Sequence, residues 1–241
     1  MPAFEAPVYT LKGIKIRFGS KQLFEDVELY INRGDKISLV GRNGSGKSTL
    51  LKIIAGIIEP DDGEIFIQPN VKIGYMPQDA DLSGFKTLRE AVAAGLDKHD
   101  GSEDYKTDMW IEQLEIAADA DPATASGGER RKATLARALI EEPDILLLDE
   151  PFSALDYQTR LEVSDDIFRI IKEQEKTALL VTHDISEAIA MGEQVIVLSS
   201  RPASIKNVFD IHLSVDKRTP FSSRTAPEFS AYFHQIWKEL S

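Results

Sequence analysis

The chain has 241 residues, enough for one large α/β domain or for a domain carrying a subdomain. Hydrophobic residues make up 42% and charged residues 28%, the balance of an ordinary soluble globular protein. The net charge of −12 opposes nonspecific attachment to nucleic acid, so no direct DNA binding is expected, and the absence of cysteine excludes disulfides and thiolate metal sites.

In chain order, Met1 to Pro7 has neither a basic patch nor an apolar run, which predicts no signal peptide. No later window approaches the roughly eighteen apolar residues that a membrane-crossing helix needs. A cytoplasmic location is expected. Val8 to Phe18 alternates apolar and polar residues and predicts a strand bent at Gly13. Gly19-Ser20 makes a turn, and Val27 to Ile31 alternates again as a second strand. These two predict a small antiparallel layer beside the main sheet. Phe18, just before the turn, is a candidate to stack on a purine base; the competing reading is a core residue.

Lys36 to Val40 is a short apolar strand, and Gly41-Arg42-Asn43-Gly44-Ser45-Gly46-Lys47-Ser48-Thr49 follows it. That stretch fits G-x-x-x-x-G-K-[ST], and a helix-permissive run, Leu50 to Ala55, comes next. Strand, glycine loop and helix is the context that makes this pattern a phosphate site. The loop amides of Asn43, Gly44, Ser45, Gly46, Lys47, Ser48 and Thr49 can face inward as a nest for an anion. Lys47 is predicted to reach the β- and γ-phosphates, and the Ser48 hydroxyl to take one Mg²⁺ position.

After a turn at Pro60 to Gly63, Glu64 to Ile67 and Val71 to Tyr75 read as further strands. From residue 80 to about 141 helical spacing predominates, over Thr87 to Gly95, Tyr105 to Ala118 and Ala133 to Leu139, which predicts an inserted α-helical subdomain. Ser126 followed by Glu129 is a capping box, the ordinary start of a helix. Gly127-Gly128 behind Ser126 also exposes amides that can hold a second phosphate face. Ile145 to Leu148 is a fully apolar strand ending in Asp149-Glu150, at the sheet end where α/β proteins bind ligands. Asp149 suits a Mg²⁺ ligand and Glu150 a base for an attacking water; a solvated turn is the competing reading. Thr177 to Val181 is another buried strand, with His183 placed to bond a γ-phosphate. Val195 to Leu198 adds a strand and Ser204 to Leu213 a terminal hairpin. Pro227 to Leu240 is an amphipathic helix with Phe229, Tyr232, Phe233, Ile236, Trp237 and Leu240 on its buried side.

Together these residues resemble the nucleotide-binding domain of the ABC ATPases over nearly the whole chain. Gly41 to Thr49 looks like the Walker A loop, Gln78 like the Q-loop glutamine, and Ser126 to Arg130 like the signature. Ile145 to Glu150 is similar to the Walker B strand, Ser153 to Asp156 to the D-loop, His183 to the switch histidine, and Phe18 falls at the A-loop position. The resemblance implies a P-loop NTPase core with a mostly parallel sheet. It also implies ATP and Mg²⁺ as ligands, Gln78 at the metal and catalytic centre, and a nucleotide-dependent head-to-tail homodimer.

The two parts of the chain resemble different branches. Residues 8 to 140 look like the first ATPase domain of ABC-F proteins, through Leu39 to Gly44, Ile73 to Asp79 and Asp119 to Thr124. Residues from 141 onward look like ATPase subunits of nitrate, sulfonate and taurine importers, through Pro151 to Asp156, Val181 to Ala188 and Val197 to Pro202. An ABC-F protein would carry Asn-His-Leu-Asp at Ser153 to Asp156 and a second ATPase domain. The expectation is an importer-type energy-coupling ATPase with membrane-spanning partners. The alternatives are a soluble ABC-F-type ATPase and a chimera joined near the signature helix.

Overall fold

The computed structural model describes residues 6–97 and 104–241. Part of the polar linker between the first two predicted insertion helices, residues 98–103, lies outside the described residues, as does most of the N-terminal stretch read for a signal peptide.

β1 (Tyr9–Phe18) and β2 (Lys21–Ile31) form an antiparallel pair turned at Gly19-Ser20. Ile14, Val27 and Ile31 are buried while the residues beside them are at least partly exposed, the pattern of a sheet with one dry face. The bend at Gly13 is a break in register between Leu11 and Ile14. β2 begins at Lys21 rather than at Val27, since Leu23 and Phe24 are already in the core. β3 (Lys36–Val40) enters a second sheet, and α1 (Lys47–Ile54) follows the glycine loop. β4 (Asp62–Ile67) then returns to pair with β1, so the first sheet has the order β2-β1-β4.

β5 (Ile73–Met76) does not continue that sheet but opens the edge of the second one. α2 (Leu88–Ala93), α3 (Asp104–Gln113) and α4 (Gly127–Leu139) come next, within the segment expected to be helical. Thr87 and Ser126 cap the first and last of them through their hydroxyls. β6 (Ile145–Asp149), α5 (Tyr157–Glu173), β7 (Thr177–Val181), α6 (Ile185–Met191), β8 (Gln194–Leu198) and β9 (Ile205–Asp210) complete the sheet. Its order is β5-β6-β7-β3-β8-β9, parallel except for β9.

β6 is buried along its whole length, which explains why it reads as an uninterrupted apolar run. Alternate residues serve opposite faces. Leu146 and Leu148 pack with Trp110, Leu135, Val163 and Leu180, beneath the helices that cover one side. Ile145 and Leu147 pack with Leu39, Leu50, Leu179 and Val181, against α1 and the antiparallel sheet. α4 approaches β5 so closely that a Cβ on Gly74 would lie 2.2 Å from the Ala138 carbonyl oxygen.

Two expectations for the C-terminal part are corrected. Residues 204–213 hold one strand, β9, whose antiparallel partner is β8; the hairpin is β8-β9, closed by the Ser199 N–H to Ser204 C=O bond of 3.0 Å. After a short α7 (Pro220–Ser223), α8 (Phe229–Leu240) forms as expected, but of its apolar stripe only Ile236 is fully buried. Trp237 is 60% exposed because α8 lies at the periphery, with only a narrow face against α6 and β8.

Gly74→Val should destabilise the fold by about 2 kcal/mol or more, since backbone rather than a flexible side chain blocks the added atoms. Gly84→Ala, where nothing lies within 4 Å, should change little. Urea midpoints of the two variants test this; equal midpoints would contradict the close approach.

Candidate active site

Three neighbouring strands, β6, β7 and β3, run parallel and end on the same side. Their carboxyl ends deliver Asp149-Glu150, Thr182-His183 and the glycine loop to one place, the location α/β sheets give to ligands. Leu39 accepts a bond from the Thr182 amide (3.2 Å) and Val181 one from the Glu150 amide (2.9 Å), so the three loops are tied at their roots.

The loop after β3 is left-handed at Gly44 (φ 80°) and at Gly46 (φ 101°), the residue that caps α1. At Gly46 a Cβ would also lie 2.7 Å from the Phe24 ring, so β2 presses on the loop from behind. Ser45 is buried, and its hydroxyl is without a hydrogen-bond partner among the described residues. Lys47 is 5% exposed and donates to the carbonyls of Gly41 (3.0 Å) and Arg42 (3.3 Å). Burial holds its ammonium below the usual lysine range, with Glu150 and Asp149 pulling it back. An ammonium resting on loop carbonyls is one that an anion can recruit.

The Ser48 hydroxyl donates to Asp149 Oδ1 at 2.8 Å, and the Tyr75 hydroxyl to Oδ2 at 3.3 Å. Burial pushes the Asp149 carboxyl above the ordinary aspartate range in spite of these two bonds. Glu150 takes a left-handed backbone, φ 44°, uncommon outside glycine and typical of functional turns. Its Oε2 accepts from Gln78 Nε2 at 3.3 Å and lies 3.1 Å from His183 Nδ1. The Gln78 amide nitrogen is thus used on Glu150, which leaves a metal contact to its carbonyl oxygen. His183 is held from below: the Thr182 hydroxyl donates to buried Glu187 at 2.5 Å and accepts the Asp184 amide at 3.1 Å.

A cleft of about 450 Å³ is lined by Asn43, Gly44, Lys47, Ser48, Gln78, Glu150 and His183, among others. Phe18 is not a core residue. It is 54% exposed and lines an adjoining cleft that shares Thr49 and Arg201 with the first. Ser126 and Glu129 form a complete capping box at the start of α4, with Gly128 buried in its first turn, and Gly127 lines a different cleft beside Arg130, Ser153 and Leu155. The chain therefore does not bring its own signature to its own phosphate loop.

Sequence reasoning missed several residues. Tyr75 orients Asp149, and buried Arg131 on α4 donates to the Pro77 and Gln78 carbonyls and to Ser153. Arg201 donates to the Gly44 carbonyl. None carries a local signal, because each contact spans at least 22 positions in sequence.

The ABC transporter family profile matches residues 24–153. The chain belongs to that family. An uncharacterized ABC transporter ATP-binding protein YtlC from Bacillus subtilis is 43% identical over 90% of this chain and 87% of its own length. The aliphatic sulfonates import ATP-binding protein SsuB of Corynebacterium glutamicum is 36% identical over 98% of this chain and 96% of its own. Among solved structures, the ATP-binding cassette MJ0796, in a dimeric post-hydrolysis state bound to ADP and Pi, superposes with a TM-score of 0.74 at 26% identity, covering 85% of this chain and 99% of that one. This ABC ATPase binds and hydrolyses ATP and is homologous to importer ATPase subunits. Importer relatives align on both sides of residue 140, so the division into ABC-F-like and importer-like parts finds no support, nor does a chimera. The fold agrees, since β5 pairs with β6 across the supposed join and one apolar cluster contains residues from both sides.

An acid whose folded pKa is raised adds stability while protonated and loses it as pH rises through the folded value. Asp149→Asn should therefore melt higher than the parent in nucleotide-free buffer at pH 7, with the gap shrinking towards pH 4. A gap that stays constant or widens on acidification would contradict the burial of a charged Asp149.

Proposed function

We propose that this ATPase is the energy-coupling subunit of a membrane importer of the sulfonate type, working as a head-to-tail homodimer. The observation that carries the dimer is the separation of Ser126-Gly127-Gly128 from the chain's own phosphate cleft. A second copy, reversed, would bring its signature amides to the open side of Lys47. In this reading nucleotide is held at the interface, and loss of the γ-phosphate contacts loosens it.

Within one site, Lys47 and the loop amides hold the β- and γ-phosphates, and Phe18 stacks on the base. Ser48 and Asp149, with the Gln78 carbonyl, form an all-oxygen donor set suited to Mg²⁺, and among the described residues no cluster of three acids or histidines offers a protein cage. That is the usual way magnesium is shared with a triphosphate, and an ion held there would supply charge neutralisation at the phosphates. Glu150 accepts the proton of the attacking water or orients it, His183 bonds the γ-phosphate, and Gln78 couples both to the helical part of the chain.

Among the described residues no helix is long and apolar enough to cross a membrane. Membrane-spanning partners would carry the path and choose the cargo, with this subunit at the cytoplasmic face. Relatives named for sulfonate import support that class of cargo.

Glu150→Gln should lower ATP hydrolysis by roughly 100-fold or more while ATP affinity is kept, the loss expected of a removed base. Lys47→Ala should abolish binding itself. The Glu150→Gln variant with ATP should run at twice its nucleotide-free mass in light scattering. Parental hydrolysis by Glu150→Gln would refute the base role, and a strictly monomeric, fully active enzyme would refute the composite site.

A further inference from the structure

We propose that Arg201 is a further nucleotide-binding residue, a cation that bridges the phosphate cleft and the cleft beneath Phe18. The inference rests on the nucleotide site described above and adds to it a contact to the ribose and α-phosphate.

Arg201 lies in the turn between β8 and β9, and that turn is fixed at several points. The Ser204 amide donates to the Ser199 hydroxyl at 3.0 Å, and the Ala203 amide to the Leu23 carbonyl at 2.7 Å. Ala203 is fully buried and forms a bridge with Phe24, the residue that presses on Gly46. The backbone under Arg201 is therefore anchored to the same strand that shapes the glycine loop.

The side chain then reaches back to that loop. Its Nε donates to the Gly44 carbonyl, and Nη2 would lie 3.1 Å from a Cβ at Gly44, so the guanidinium rests close against a residue that has none. No carboxylate pairs with Arg201 among the described residues, and neither terminal nitrogen is engaged in a hydrogen bond there. An unpaired, exposed fork is suited to a phosphate or a ribose hydroxyl. Its position narrows the choice. Of the two clefts, one is lined by Lys47, Glu150 and His183 and the other by Phe18 and Gln22, and Arg201 and Thr49 are the residues they share. In a nucleoside triphosphate lying across both, the part between base and β-phosphate is the ribose with the α-phosphate.

Lys47 and His183 act on the outer phosphates, so the two sets of residues should respond to different ligands. Isothermal titration with ATP, ADP and inorganic pyrophosphate tests this in the parent, Arg201→Ala and Arg201→Lys. ADP is included because it reports binding to one chain without a γ-phosphate to join two. Arg201→Ala should weaken ATP and ADP by the same factor, on the order of tenfold for one charge-assisted contact. Pyrophosphate, which supplies the two outer phosphates and nothing in the place of the α-phosphate or ribose, should lose markedly less, and Arg201→Lys should recover part of the loss.

Unchanged ATP and ADP affinities in Arg201→Ala would overturn the inference, as would a loss confined to ATP. An equal loss for pyrophosphate would also overturn it, since it would mean that Arg201 only braces the glycine loop through Gly44. Melting without nucleotide checks the fold; should Arg201→Ala be unfolded, an unchanged ADP affinity in Arg201→Lys decides against the fork. If the parent itself binds no ATP, the nucleotide site falls, which is distinguishable from failure of Arg201 alone.

Discussion

Lys47 and Asp149 are opposite charges held where water scarcely reaches, and neither is neutralised by a direct ion pair. Lys47 leans on loop carbonyls; Asp149 is served by two hydroxyls. A buried charge with only dipoles for company is poorly compensated. Such a pair persists because the strands on either side force it, and in the proposed function it would be relieved when a triphosphate meets the ammonium and a cation the carboxylate. In that reading binding and chemistry share one source, the poor compensation of these two buried charges.

What forces the pair together is the order of strands. β3 stands next to β7, and β7 next to β6, in a parallel ladder with continuous register. The glycine loop, His183 and Glu150 therefore leave the sheet at neighbouring points. Had β6 and β7 been exchanged or reversed, the same motifs would be present in the chain without meeting. The antiparallel sheet contributes from the other side: Phe24 fixes Gly46, and Phe18 stands at the edge of the cleft.

A second layer of contacts links the site to the helical part. Arg131, on the helix that begins at the signature, bonds Pro77 and Gln78 in the Q-loop and Ser153 in the D-loop. Two loops are tied to α4 by one buried guanidinium, so displacement of α4 would be felt at Gln78 and hence at Glu150. Glu187, Thr182 and Arg160 form a comparable brace behind His183, with Arg160 also bonded to the Leu155 carbonyl. These braces give the proposed coupling between helical subdomain and hydrolysis a physical route.

The sequence by itself determined whatever depends on neighbours along the chain. The glycine loop between strand and helix, the capping box at Ser126, the apolar strand ending in Asp149-Glu150 and the alternation of β1 are local patterns, set by backbone preference and short-range hydrogen bonds. It misled where apolar spacing was taken for depth, as on α8, because periodicity marks a face without saying how much of that face is covered. It also suggested two origins for the chain, since short motifs carry ancestry less surely than alignment over the whole length. Only the tertiary structure decided which distant residues meet: Tyr75 with Asp149, Arg131 with Ser153, and Arg201 with Gly44, 157 positions away. The reason is that strand order and packing, summed over the entire core, bring these side chains together, and no local stretch contains that information.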